Sequence, residues 1–383
     1  MSTQDQYERF LSFLEVDPNN VQLLVNTANL ASELGHFDQA IKLADQGLAL
    51  EPKHQVLIST KALACLSSGN IDSALKLFQQ LLDDGLRDPI VRYNLAYCMV
   101  LKEGNEQALP LLEDALEHYA VLPQMLLLKI RTLYNLEELE EAIEVGKQAL
   151  VSDPNNGAVH ELMSSLYIDT SDFPNAQNHA KLALDINPNL GLAHTSMGTA
   201  ALNMQDDATA IARFDDAIRL NMQDGRAWLG KAMAQMLQQN LIQAEISFKS
   251  AIQFMPTHLG SYSALAWCQI SQQKLQEAEA TVMQAMAIDD TFSENHGTLA
   301  VLAVMQGNIG RAKTLSRIAL GIDKESFSGL YAQALILQAE DNPASAQKII
   351  DGILDAPSTL EQGSLRRYVE QYVKNKTPDK TLI

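Results

Sequence analysis

VQLLVNTANLASELGHFDQAIKLADQGLALEPKH, residues 21–54, decides how the rest of the chain reads. Cut into further blocks of 34, the sequence repeats its punctuation up to residue 360 with no insertion or deletion. The twentieth position is Ala40, Ala74, Ala108, Ala142, Ala176, Ala210, Ala244, Ala278, Ala312 and Ala346. Alanine occupies roughly one position in ten of an average protein, so chance does not produce that column. The eighth position is small in every block except the fourth, where Ile130 stands. The twenty-eighth is always apolar and unbranched or aliphatic, from Leu48 to Leu354.

Inside a block, positions 4, 7, 8 and 11 follow the i, i+3, i+4, i+7 spacing of a helix with one buried stripe. Positions 20, 24, 27 and 28 repeat the stripe on a second helix. Between them lie turn signals such as Leu34-Gly35-His36 and Gln306-Gly307-Asn308. Glycine there can adopt the left-handed conformation that ends a helix. Several second helices run into proline, as at Glu51-Pro52, Asp153-Pro154, Asn187-Pro188 and Met255-Pro256. Proline cannot continue the hydrogen-bond ladder. A methyl-sized residue at position 20 lets the two helices approach closely.

A 34-residue helix–turn–helix unit with small residues at positions 8, 20 and 27 and proline at 32 resembles the tetratricopeptide repeat. Tyr93-Asn-Leu-Ala, Phe173-Pro-Asn-Ala and Ala217-Ile-Arg-Leu stand at matching places. The resemblance implies an all-α fold, a right-handed α-solenoid superhelix of about ten helix–turn–helix units. Residues 1–20 are expected to form an N-terminal capping helix with Tyr7, Phe10 and Phe13 on its packing face. The repeats start at 21, 55, 89, 123, 157, 191, 225, 259, 293 and 327. Residues 361–375 are expected to form a C-terminal capping helix and 376–383 a flexible tail, since stacked repeats need their last apolar face covered.

The 383 residues carry 28 basic and 47 acidic side chains, a net charge of −19. That balance disfavours tracking nucleic-acid phosphates or adsorbing to anionic membranes. No apolar run approaches the ~18 residues of a membrane span. The opening Met1-Ser-Thr-Gln-Asp-Gln lacks the layout of a secretory signal. Three cysteines fit a reducing compartment, so a cytoplasmic location is expected.

A search for chemistry eliminates its candidates in turn. Gly307-Asn-Ile-Gly310-Arg-Ala-Lys313-Thr314 ends like a phosphate loop, but its spacing is wrong and it occupies a repeat turn. His160, His194 and His296 all stand at block position 4, a packing position, with no ligand set around them to complete a metal site. Cys65, Cys98 and Cys268 read as small buried apolar residues. Fewer than 45 residues lie outside the repeats, too few for an added enzyme domain. No enzyme activity, cofactor or metal is expected.

Function should then lie on a surface. In tetratricopeptide proteins first helices line a groove, and 100° per residue assigns it positions 2, 5, 9, 12 and 13. The repeats at 157 and 191 offer polar residues there, including Glu161, Ser165, Asp169, Thr195, Thr199 and Asn203. The three repeats from 225 offer Leu229, Met233, Met236, Leu237, Trp267, Ile270, Val301, Val304 and Met305. A contiguous apolar patch marks an interface, and methionine suits an adaptable one. The competing reading is packing, because position 12 often touches the next repeat. A second aromatic patch is Tyr93, Tyr97 and Tyr134. Glu137, Glu138, Glu140 and Glu141 form an acidic patch, either a solvated turn or a landing place for a basic partner. The carboxylate-gripping pattern of some relatives is incomplete: Asn26 and Asn29 are present, but Ser59, Thr60 and Leu63 follow without a lysine.

The function expected is a non-enzymatic scaffold or chaperone-like adaptor holding a peptide or helix of another protein. The alternatives are self-association as a homo-oligomer and a peripheral adaptor tethered through the C-terminal end.

Overall fold

The structure, a computed structural model, describes residues 2–118 and 123–355 and the pairs 357–358 and 363–364. It divides into two compact units, 1–154 and 155–383. The first holds α1 (Thr3–Val16), α2 (Val21–Glu33), α3 (Phe37–Leu50), α4 (Gln55–Ser67), α5 (Ile71–Asp83), α6 (Pro89–Leu101), α7 (Asn105–His118), α8 (Pro123–Asn135) and α9 (Leu139–Ser152). The second begins with α10 (Gly157–Asp169), α11 (Phe173–Ile186), α12 (Gly191–Asn203), α13 (Asp207–Leu220), α14 (Gly225–Leu237) and α15 (Leu241–Phe254). It continues with α16 (Leu259–Ser271), α17 (Leu275–Ile288), α18 (Ser293–Met305), α19 (Ile309–Ile322), α20 (Phe327–Ala339) and α21 (Pro343–Asp355). The fold is an all-α helical repeat. The only strands among the described residues are β1 (Pro357–Ser358) and β2 (Gly363–Ser364), which pair antiparallel.

From α2 to α21 the helices alternate as first and second members of a pair. The turn within each pair is built one way in all ten repeats. Its fifteenth residue has positive φ: Gly35, Gly69 and Gly307, but also Glu103, Glu137, Ser171, Gln205, Gln239, Gln273 and Asp341. The next amide donates to the carbonyl five residues back, as from His36 to Ala31, Asn240 to Gln235 and Asn308 to Ala303, at 2.8–2.9 Å. This six-to-one bond consumes a carbonyl that the helix end would leave open. Seven repeats therefore adopt the left-handed turn without the glycine that the sequence pattern suggested for it.

All ten position-20 alanines are fully buried. Phe78, Phe214 and Phe248, each four residues further on, are among the largest fully buried side chains. Phe214 shows how tight the fit is. A methyl added at Gly230 would stand 2.3 Å from its Cζ, and one at Gly198 2.8 Å from its Cε1. The missing side chains of α12 and α14 make the slot that Phe214 of α13 fills.

Two terminal expectations change. On α1, Tyr7 and Leu14 are the buried residues, whereas Phe13 is 44% exposed with the Arg9 guanidinium 5.3 Å from its ring centre. Phe13 is six residues from Tyr7, about 240° round the helix, and so faces away from the α2 contact. At the other end, Gly363 and Ser364 are strand residues, so no capping helix runs through them. Residues 365–375 and the tail 376–383 lie outside the described residues.

Candidate partner-binding cavity

The cavity lies within the second unit, among the first helices α10, α12, α14 and α16, and has a volume of about 690 Å³. Its walls differ in chemistry because the repeats differ at equivalent positions. The α14 and α16 side is apolar: Leu229, Met233, Met236, Leu237, Ala264 and Trp267, with Phe248 of α15 behind them. Met233 is 47% exposed, a large cost for a thioether side chain that packing alone would cover.

The α10 and α12 side is polar, and most of its groups are already satisfied. Thr195 donates its hydroxyl to Asp224 Oδ2 at 2.7 Å, while Asp224 Oδ1 caps α14 by accepting from the Ala227 amide at 3.0 Å. The hydroxyls of Ser165 and Ser196 lie 3.3 Å apart. Thr199 donates to the Thr195 carbonyl, and the Asn203 amide donates to the Thr199 carbonyl at 2.9 Å. The buried Oδ1 of Asn203 has no hydrogen-bond partner among the described residues. Asp169 and Arg226, 4.0 Å apart, bring one charge of each sign to the lining, joined by His258. Arg226 stands at groove position 2 of its repeat, whereas no repeat signal in the sequence distinguishes His258, Ser196 or Phe248 as cavity residues.

The other residues of the apolar stripe lie elsewhere. Ile270 is 7% exposed and packs with Ala266, Leu299 and Leu302. Val301 is 1% exposed and packs with Ala300 and Ala332. Both belong to the core and offer no surface to a partner. Ile270 is covered by α17 and α18, whereas Val301 is covered by α20, which approaches α18 so closely that a methyl on Gly297 would meet the Gly329 amide nitrogen. Val304 is half-buried against Ala303, Ala312 and Ile336. Met305 is exposed at the end of α18 and does not line the cavity. Trp267 links the two regions, since its ring also meets Phe327 and Tyr331 at 5.9 and 5.7 Å.

In the first unit, Tyr93 and Tyr97 stack at 6.2 Å and pack half-buried on Ala96, Ala108, Leu112 and Leu128. Burial pushes the Tyr93 phenol up from its ordinary value. Tyr134 is also half-buried. The acidic patch has a local origin: Glu137 is the left-handed turn residue, Glu138 the N-cap of α9, and Glu140 and Glu141 its first turn. Carboxylates there face the positive end of the helix. All four are exposed, and Glu141 lies 3.2 Å from Lys129.

The position-4 rings share one bond. His194, Trp228, Tyr262 and His296 each engage the carbonyl six residues back, at 2.8–2.9 Å. The ring of His160, also at position 4, places its Nδ1 2.9 Å from Nδ1 of His179. Among the described residues, no three His, Cys, Asp or Glu side chains converge as a metal site would need, and no helix is long and apolar enough to cross a membrane.

Twenty helices paired through a common turn, with a cavity among first helices, define the class as an all-α helical repeat protein. The sequence profile of the tetratricopeptide repeat matches residues 102–157 and 195–258, so the chain carries tetratricopeptide repeats. Such repeats serve in general as protein–protein interaction scaffolds. Tetratricopeptide repeat protein 8 of Caenorhabditis elegans is 27% identical over 96 residues, 25% of this chain; the match spans only 19% of that relative. Among solved structures, a monomeric mutant of IFIT1 with Gppp-AAAA superposes with TM-score 0.55 at 14% identity, covering 91% of this chain and 94% of the other. The human IFIT1 dimer with m7Gppp-AAAA gives 0.50 at 15%, covering 91% and 93%. A tetratricopeptide repeat protein from Parabacteroides merdae gives 0.48 at 19%, covering 68% and 98%. For the two IFIT1 structures, at these identities, the likeness is one of fold.

Proposed function

We propose that this protein is a non-enzymatic, chaperone-like adaptor that holds an apolar segment of another protein in the α10–α12–α14–α16 cavity. The observation that carries the reading is the half-exposed Met233 among Leu229, Met236, Leu237 and Trp267 around about 690 Å³ of open space. A volume of that size accommodates two or three large apolar side chains. Burying them would supply the binding energy, while Asp169 and Arg226 select charges at the ends of the segment. A cytoplasmic setting accords with three free, buried cysteines.

The test uses the full chain with Trp228→Phe, so that Trp267 is the only indole. Leu-, Met- and Phe-rich peptides of about twelve residues are titrated in and fluorescence is followed. The expected result is saturable binding that Met233→Asp weakens at least tenfold with helicity unchanged. Equal binding by the Met233→Asp chain, or no response to any peptide, overturns the reading.

A further inference from the structure

His160 on α10 is 5% exposed, and its Nδ1 lies 2.9 Å from Nδ1 of His179 on α11. The rings are tilted with centres 5.0 Å apart, and the ring of Tyr167 of α10 lies 5.4 Å from that of His179. At that separation one Nδ1 carries a hydrogen and donates while the other accepts through its lone pair. Only one proton can occupy the line between them. A second would leave two facing N–H groups and put positive charge into a buried site.

We propose that the His160–His179 pair is an acid-sensitive latch fastening α10, one wall of the cavity, to α11. α10 supplies Ser165, Ile168 and Asp169 to the cavity lining, so releasing it removes part of that wall. The latch stands independently of what the cavity holds.

The charged side chains described on the neighbouring elements have partners of their own or stand exposed. On α10, Glu161 accepts from the Leu192 amide and Asp169 faces Arg226 of α14. Asp172 caps α11 through the Asn175 amide. Lys181 and Asp185 lie on exposed positions of α11. On α12, His194 sits 3.8 Å from Asp216 of α13. Burial, followed by the neighbouring His160, pushes His179 down to about 4. An unfolded chain takes up its proton near 6.5, before the folded chain does. Stability from the pair is therefore complete above pH 6.5 and is lost as pH falls through 4.

The experiment combines histidine-selective NMR titration with hydrogen exchange of the full chain between pH 7.5 and 4, corrected for intrinsic exchange rates. His179 is expected to titrate near pH 4. Protection of residues 157–186 should fall on acidification by up to tenfold per pH unit between 6.5 and 4, faster than in the other repeats. In His179→Gln, which keeps a polar group but cannot titrate there, the extra fall should vanish. Titration of His179 near 6.5 overturns the proposal, as does an equal fall in His179→Gln. If that variant fails to fold by circular dichroism, the wild-type exchange still decides, since a decline in 157–186 no steeper than elsewhere also overturns it.

Discussion

Left-handed backbone is the feature that recurs most faithfully at single residues. An L-residue with a side chain pays roughly 1 kcal/mol to sit where Gln239 and Gln273 sit, at φ 62° and 63°. Glycine removes that strain but loses more entropy on folding. Gln239→Gly is therefore expected to stabilise the chain modestly, by up to about 1 kcal/mol, read as a higher urea midpoint. A lower midpoint would mean that the Gln239 side chain contributes more than its backbone costs. Phe214 gives a second test. Gly230→Ala brings a methyl to 2.3 Å from its ring and should cost about 1–3 kcal/mol by overpacking. Adding Phe214→Leu should recover part of that loss, and a strictly additive double variant would show that the two sites do not share the slot.

Between elements, one polar knot joins α15, α16 and α17. Glu245 is buried and receives Lys249 at 2.7 Å, Lys274 at 2.7 Å and the Gln272 amide at 3.0 Å. Burial by itself would raise its carboxyl, but these three hydrogen bonds outweigh burial and hold it at about 2. A depressed carboxylate stabilises fully above its ordinary value of 4.5, and that stability is lost as pH falls from 4.5 toward 2. Glu245→Gln should lower the urea midpoint at pH 7 and flatten the acid dependence in that window; an unaltered slope would show the knot carries no proton linkage. Glu294 plays a comparable part between α18 and α20, accepting from the Ser326 hydroxyl at 2.8 Å and the Ser328 amide at 2.9 Å. Glu294→Ala removes a helix-capping partner and should cost about 1 kcal/mol, measured by chemical unfolding.

Across the whole molecule, stability is a sum of neighbour contacts, because a repeat touches chiefly the repeats beside it. Damage should therefore stay local. Gly230→Ala is expected to lower amide protection in α12–α15 of the second unit and to leave α2–α5 of the first unchanged. A uniform drop by hydrogen exchange would mean that the two units unfold as one.

Much of this was readable from the chain and some was not, for one physical reason. Periodicity reports which face of a helix is apolar, and ten alanines at one position report how closely two helices meet. Helix pairs, turns and the burial of position 20 follow from those local signals. Depth within an apolar face depends on how far apart successive first helices stand, which side chains from other repeats decide. Val301 and Met233 look equivalent in sequence, both on the stripe opposite the packing face. Gly297 lets α20 close over Val301, whereas Met233 remains half open beside the cavity. His160 reads as one more position-4 ring, and only packing brings His179 to within 2.9 Å of it. The sequence by itself determined the repeat, its helices and its tight alanine contacts, since these arise within about 34 residues. The residues of the polar and apolar walls were legible at their groove positions, but the tertiary structure alone decided which of them stay open around a cavity and brought the histidine pair together, because helix spacing is set by side chains of different repeats.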